Sequence, residues 1–361
     1  MQLKYGMNPN QSYGEVIDPN KALSLLNGTP SYINLLDALN SWQLVKEIRK
    51  AFDCPAAASF KHVTPSGVAL AGELSEQEKK AYLVTKEVSP LGSAYLRARG
   101  SDRLASFGDF IALSHKVDKA TATLIKAEVS DGIIAPEYDE EALAILKEKK
   151  KGKYVVFQMD YNYEPPKVES RDIYGITLKQ DRNDMVITEK HLEEIPTKTN
   201  KLNDDIKRDL LLGMITLKYT QSNSLCAVNK GQVIGIGSGQ QSRILCSGLA
   251  LSKANVWYQK QNLDYSFLEK LGKVSRTEKD QLIEQEREKT FADKKLLKDL
   301  EGTCLISDGF FPQTDNIELA HSYGVQYIAS PMGSIRDQDI LDTCDKYGIT
   351  FVNPKIRLFH H

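Results

Sequence analysis

No run of apolar residues in this chain approaches the roughly 18 needed to cross a membrane. Its opening residues, MQLKYGMNPNQ, hold no apolar segment of the kind that directs secretion, so the protein is expected in the cytoplasm, away from membranes. Charge of one sign is lacking too. The 47 Lys and Arg against 48 Asp and Glu leave a net charge of -1, which gives no electrostatic case for nucleic acid or a membrane surface. The five cysteines, Cys54, Cys226, Cys246, Cys304 and Cys344, are scattered and form no CxxC pair. That argues against a disulfide framework, a zinc site or a redox motif, and for buried reduced thiols. The six histidines, His62, His115, His191, His321, His360 and His361, show no HExxH and no cysteine partner, so no metal is expected. A serine-hydrolase GxSxG elbow and an ATP-binding GxxxxGK[ST] loop are also missing.

What the sequence does have is length and α/β alternation. With 361 residues it can bury a sizeable core and divide into two domains. After an irregular arm to Gln11, Leu35, Leu36, Leu39, Trp42, Val45 and Ile48 take the spacing of one helix face. A short strand of small residues, AAASF, follows. From Leu74 to Asp118 the pattern reads as helical, interrupted at Ser106-Phe107-Gly108-Asp109. The segment from Ser130 to Pro136 reads as a strand, and the lysine cluster of EEALAILKEKKK as a solvated helix end. Pro165-Pro166 and the polar stretch to Asp209 mark a boundary, because paired prolines continue neither a helix nor a central strand. The last sixty residues alternate strand and helix, the pattern of a parallel or mixed sheet. Ser130-Asp131-Gly132 and Ser307-Asp308-Gly309 each precede two apolar residues and a proline, which suggests two related α/β units.

The stretch with most chemistry is Ala56 to Gly67, AAASFKHVTPSG, where Lys61 and His62 stand side by side before a Pro/Gly turn. An imidazole titrates near neutral pH, and a neighbouring ammonium offers a cation to an oxyanion formed nearby. Together they read as a base with an electrophilic partner. On an extended strand, however, adjacent side chains point to opposite faces, and Lys-His pairs are more often surface residues. Gly235-x-Gly237-x-Gly239 lacks the third glycine of a dinucleotide fingerprint, since position 240 is Gln240. A more general anion or carbonyl site at Gln240 to Arg243 remains open, with Arg243 as a guanidinium fork.

In this order, ASFKHVTPSG, SFGDF, VSDGIIAPEYDEEAL, LKYTQSNS, GQVIGIGSGQQSRI, SDGFFP, ASPMGS and RLFHH make the chain resemble the transformylase part of the AICAR transformylase/IMP cyclohydrolase family. The resemblance spans nearly the whole chain. It implies two cytidine-deaminase-like α/β/α domains without zinc, interleaved as residues 1-166 with 261-300 and 167-260 with 301-361. It also implies a homodimer with active sites between subunits, and a stand-alone formyltransferase whose cyclohydrolase, where present, is a separate protein. The reaction implied is formyl transfer from the co-substrate 10-formyltetrahydrofolate to the 5-amino group of AICAR. By resemblance His62 accepts the proton, Lys61 stabilises the transition state and Asn223 orients the amine. AICAR would be bound by Lys4, Tyr5, His62, Gly108, Asp131, Asn223, Arg243 and Phe310, and the folate by Ile244, Asp315, Ser334, Ile335 and Arg357.

The N-terminal arm departs from the family's usual Arg-Tyr-Gly-x-Asn-Pro-His, because it begins at Lys4 and ends at Asn10. Lysine keeps the charge without the bidentate fork. Ile335 stands where some members carry a small residue. Two other readings compete: a non-catalytic AICAR- or nucleotide-binding protein, and formyl transfer from another donor. Intact Lys61, His62 and Asn223 weigh against the first, and the missing ATP loop weighs against formate activated by ATP.

Overall fold

The computed structural model describes residues 1–270 and 272–361. Among the described residues, thirteen strands form one eleven-stranded mixed sheet and a separate hairpin. In chain order they are β1 (Leu23–Asn27), β2 (Ala56–Lys61), β3 (Thr64–Leu70), β4 (Asp109–Leu113), β5 (Ser130–Ala135), β6 (Val155–Met159), β7 (Val168–Ile173), β8 (Ile176–Asp181), β9 (Leu225–Asn229), β10 (Gln232–Gly237), β11 (Cys304–Ser307), β12 (Tyr327–Ala329) and β13 (Thr350–Val352). The large sheet runs β1-β6-β5-β4-β2-β3-β10-β9-β11-β12-β13. It repeats itself about its middle. The antiparallel hairpin β2–β3 leads through β4 to parallel β5 and β6, and the hairpin β9–β10 leads through β11 to parallel β12 and β13.

Period-two alternation sends side chains to two helical layers. Ala56, Ala58 and Phe60 of β2, with Cys226 and Val228 of β9, enter a core shared by both halves under the helices Tyr32–Phe52 and Asp204–Leu217. Ala57 on the opposite face joins the core of the first half, and Leu225 and Ala227 join that of the second. Leu263, Tyr265 and Ile283, although late in the chain, pack into the first half's core. Four of the five cysteines are buried, and all are free thiols.

The glycine run has a packing role. A Cβ on Gly235 or Gly237 would stand 2.2 Å from the carbonyl oxygen of Ala250 or Cys246, so these glycines let β10 press against the Arg243–Gln261 helix. Gly67 does the same for β3 in the first half, where a Cβ would stand 2.0 Å from the Ala98 oxygen.

Several sequence expectations need correction. Thr64–Leu70, read as a Pro/Gly turn, is strand β3, and the turn is His62-Val63. The helical reading to Asp118 hid strand β4, because five buried residues on a two-faced sheet carry no alternation to betray it. Leu39 is exposed, and Asp37, Ala38 and Ser41 face inward with Trp42 instead. The two SDG motifs do not occupy equivalent places: the first opens β5, whereas the second closes β11. The lysine cluster is not simply solvated. Lys149 is buried, donates to the Glu128 carbonyl and lies over the Tyr154 ring; burial, with Lys150 and Arg99 beside it, lowers its pKa to about 8.

Candidate active site

Register fixes which strand ends share an edge. Lys61 pairs with Thr64 across the β2–β3 hairpin, Phe60 pairs with Phe110, and Asp109 pairs with Ser130. The end of β2 therefore meets the starts of β4 and β5, which gathers Lys61, His62, Gly108 and Asp131. Across the centre, Gly237 and Ser307 both pair with Leu225, which brings Asn223, Arg243 and Asp308 to the same edge of the sheet. The two groups are separate within one chain. Between β2 and β9 lie β3 and β10, three inter-strand steps or roughly 14 Å.

In the first group His62 and Val63 form a two-residue hairpin loop with φ of 54° and 61°. Positive φ at both positions is the mirror-image turn whose twist matches a hairpin, and it favours Asn-Gly. A β-branched valine there costs on the order of 1–3 kcal/mol. Because His62 leaves the strand, alternation no longer separates it from Lys61. The Lys61 ammonium donates to the Phe107 carbonyl at 2.6 Å, and His62 is exposed. Gly108 has φ +76° and open space where a Cβ would be, so a ligand can approach its backbone. Asp131 is exposed and ion-paired with Lys150 at 2.7 Å.

A buried charge network supports the Phe107–Gly108 loop. The Arg99 guanidinium donates to the Ser106 carbonyl at 2.7 Å, to Asp109 at 2.9 Å and to the Val129 carbonyl at 3.2 Å. Asp109 also accepts from Ser59 at 2.6 Å. Glu128 is shared by Arg99, Arg103 and Arg276, which ties the Arg276–Phe291 helix to this network. Burial pushes the Glu128 carboxyl up, but Arg103, Arg99 and Arg276 outweigh it and bring the pKa down to about 2. A carboxylate held below its unfolded value contributes stability that is present above the unfolded pKa and lost as pH falls through the folded one. The stability advantage of wild type over Glu128→Gln is therefore expected to shrink by roughly 3 kcal/mol as pH falls from 5.5 toward 2. Denaturant titrations of both proteins across that range check it, and an unchanged difference counts against the network.

In the second group Arg243 faces inward. One terminal nitrogen donates to Asp308 at 2.5 Å and Ser307 at 2.9 Å, and the other donates to the Asn223 side-chain oxygen at 2.8 Å. The guanidinium fork expected at a phosphate is thus engaged by internal acceptors. The side-chain Nδ2 of Asn223 has no protein acceptor among the described residues, which leaves a donor beside a fixed oxygen. The Ser222–Asn223 peptide is cis. The C-terminal segment closes this group: Leu358 donates to the Asp308 carbonyl at 2.9 Å, and Ser222 donates to that of His360 at 3.0 Å. Gln240 is tied to the same turn by the Asn223 amide at 3.2 Å.

The remaining candidates are spread along this edge. Phe310 is 44% exposed and follows β11; Asp315 opens the Asp315–Ser322 helix; Ile335 is wholly exposed beside Ser334. Ile244 is half-buried in the first turn of the Arg243–Gln261 helix, and the Arg357 guanidinium lies 4.5 Å from the Phe359 ring centre. Lys4 and Tyr5 sit on the arm, which Leu3 anchors to the shared core, and among the described residues no hydrogen bond joins either side chain to the two groups. A cavity of about 370 Å³ at the opposite ends of β3 and β10, lined by Arg97, Lys230 and Trp257 among others, contains none of these residues.

Sequence reasoning missed Asp37, whose carboxylate accepts the Val63 amide at 2.6 Å, and Asp308, which it quoted only within a repeat. The signal for Asp37 was an acid on the apolar stripe of a helix, with Ser41 one turn on. No cluster of His, Cys, Asp or Glu able to hold a metal ion occurs among the described residues, and no described helix is long and apolar enough to cross a membrane.

Residues 1–253 match the family model described as AICARFT/IMPCHase bienzyme. The chain belongs to that family. It is 32% identical over its whole length to the bifunctional purine biosynthesis protein PurH of Petrotoga mobilis, and 30% identical over its whole length to that of Aquifex aeolicus. The PurH protein of Macrococcus caseolyticus is 30% identical over 99% of the chain. The chain spans 58–61% of the length of these relatives.

Proposed function

We propose that this chain is the AICAR formyltransferase of purine biosynthesis, using 10-formyltetrahydrofolate as co-substrate. The observation that carries the reading is the Lys61–His62 pair where β2 passes into its two-residue turn, in a chain of the AICARFT/IMPCHase family. The 5-amino group of AICAR is a poor nucleophile, because its lone pair is delocalised into the ring. Its attack on a formyl carbon needs a base at the amine and a cation near the formyl oxygen. His62 is the base that takes the amine proton; Lys61 is the cation beside the formyl oxygen, gives one of its own ammonium protons to N10 as the formyl carbon–N10 bond breaks, and regains a proton from the His62 imidazolium. Asn223 holds the substrate carboxamide, for which a fixed oxygen and a free N–H donor suit it.

Gly108 and Asp131 receive the ribose side of AICAR, and Phe310 lies against its ring. Lys4 and Tyr5 close over the phosphate; Arg243 contributes charge through Asn223 more than by a direct fork. Ile244, Asp315, Ser334, Ile335 and Arg357 hold the folate. The co-substrate brings the formyl group, and every proton transfer above belongs to the chain's own side chains.

In this reading the two halves are cytidine-deaminase-like domains, 1-166 with 261-300 and 167-260 with 301-361. The mirrored strand order supports that division. The active protein is a homodimer in which one copy's Lys61 group faces the other's Asn223 group. Support comes from the separation of the groups within one chain and from the exposed Leu104, Phe107, Leu245, Phe310 and Phe359 around them.

Purified protein is expected to release tetrahydrofolate from 10-formyltetrahydrofolate only when AICAR is present, as followed by absorbance. AICAR binding by calorimetry without turnover would replace this reading with that of a nucleotide-binding protein.

A further inference from the structure

The turn that carries His62 is disfavoured by its own sequence, since Val63 is β-branched and has positive φ. Beyond the β2–β3 pairing that closes it, a side chain from another element holds it. Asp37 lies in the second turn of the Tyr32–Phe52 helix, only 6% exposed, and its Oδ1 accepts the Val63 N–H at 2.6 Å. That is the sole hydrogen bond to the Asp37 carboxylate among the described residues. A leucine would fill such a position without desolvating a charge, so the core gains nothing from the acid. Burial pushes the Asp37 carboxyl up; the Val63 N–H and the nearby His62 oppose this, and Asp131 and Asp109 add to it. Lys61 is tied on the other side, to the Phe107 carbonyl.

We propose that Asp37 is a positioning residue for the Lys61–His62 pair. Its carboxylate holds the turn through the Val63 N–H, and so fixes where the Lys61 ammonium and the His62 imidazole stand relative to each other. Asp37 touches neither substrate nor the reacting atoms, and acts through the turn. This inference rests on the formyl-transfer reading above.

Two variants grade the hydrogen bond, because a neutral amide oxygen accepts more weakly than a carboxylate. Asp37→Asn keeps an oxygen acceptor, and Asp37→Ala keeps none. The asparagine variant is expected to lose about tenfold in kcat and the alanine variant about 100-fold, with KM for AICAR within about twofold in both. Hydrogen exchange of the Val63 amide, measured without substrate, should be accelerated in Asp37→Ala and less so in Asp37→Asn. Adding Val63→Gly to the alanine variant should recover part of kcat, because glycine accepts the turn's φ without strain. Full kcat in a folded Asp37→Ala protein would overturn the proposal, and so would unchanged Val63 exchange. If wild type itself proves inactive, the formyl-transfer reading fails, and Val63 exchange still decides whether Asp37 holds the turn.

Discussion

Replacing His62 with asparagine is expected to lower AICAR-dependent turnover by about 10²- to 10⁴-fold while leaving the fold intact, the range that a positioned general base contributes. Asparagine is chosen over alanine because the position has φ 54°, a left-handed conformation that asparagine tolerates. His62 is exposed, and its ring makes no hydrogen bond to the protein among the described residues. Its removal therefore costs no buried contact, and the melting temperature should stay within about 2 °C, as for surface substitutions generally. The effect should fall on kcat, with KM for 10-formyltetrahydrofolate little changed. Added imidazole should restore part of the rate in the variant and none in wild type. A variant retaining more than about a tenth of wild-type kcat would remove His62 from the role of base.

The parts of this molecule that were legible in the sequence are those written in local pattern. The strand–helix alternation of the last sixty residues and the Tyr32–Phe52 helix both follow from periodicity read over short windows. Strand β4 was not legible, because Asp-Phe-Ile-Ala-Leu is buried on both faces and continues the apolar content of the preceding helix. The Thr64–Leu70 strand was hidden by Pro65 and Gly67. Only tertiary context explains them: Pro65 sits beside an irregularity in the β2–β3 register, and Gly67 lies where β3 meets the Ala98 carbonyl.

The site was legible as motifs and not as geometry. Nothing local shows that Asp37 reaches Val63, or that Asp308 and Arg243 join although they stand 65 positions apart. Such pairs are created by register, since the sheet edge that collects Lys61, Asp131, Asn223 and Asp308 is assembled from strands paired far apart in sequence. Arg243 shows the consequence. Its place at a helix start, after a glycine turn, predicts an anion fork, but the strand end beside it carries an acid that claims the guanidinium first.

Arg243→Met is accordingly expected to be among the most destabilising single substitutions in the second half. The side chains of Arg243 and Asp308 are 8% and 0% exposed, and they meet at 2.5 Å. Removing one member of a buried pair costs about 3–5 kcal/mol, because the other charge stays desolvated without its partner. Asp308 would keep the Ser222 hydroxyl at 2.6 Å and the Ser224 amide at 2.9 Å, which places the loss toward the lower end of that range. Turnover should fall further than stability alone requires, because Asn223 loses the donor that fixes its side-chain oxygen. A double-mutant cycle with Asp308→Asn separates the two effects. In the Asp308→Asn background Arg243→Met should cost less than half as much stability, since no buried carboxylate is left unpaired, while the loss of turnover should persist. Equal stability costs in both backgrounds would mean that the pair is not coupled; recovery of turnover along with stability would mean that Arg243 serves the fold alone.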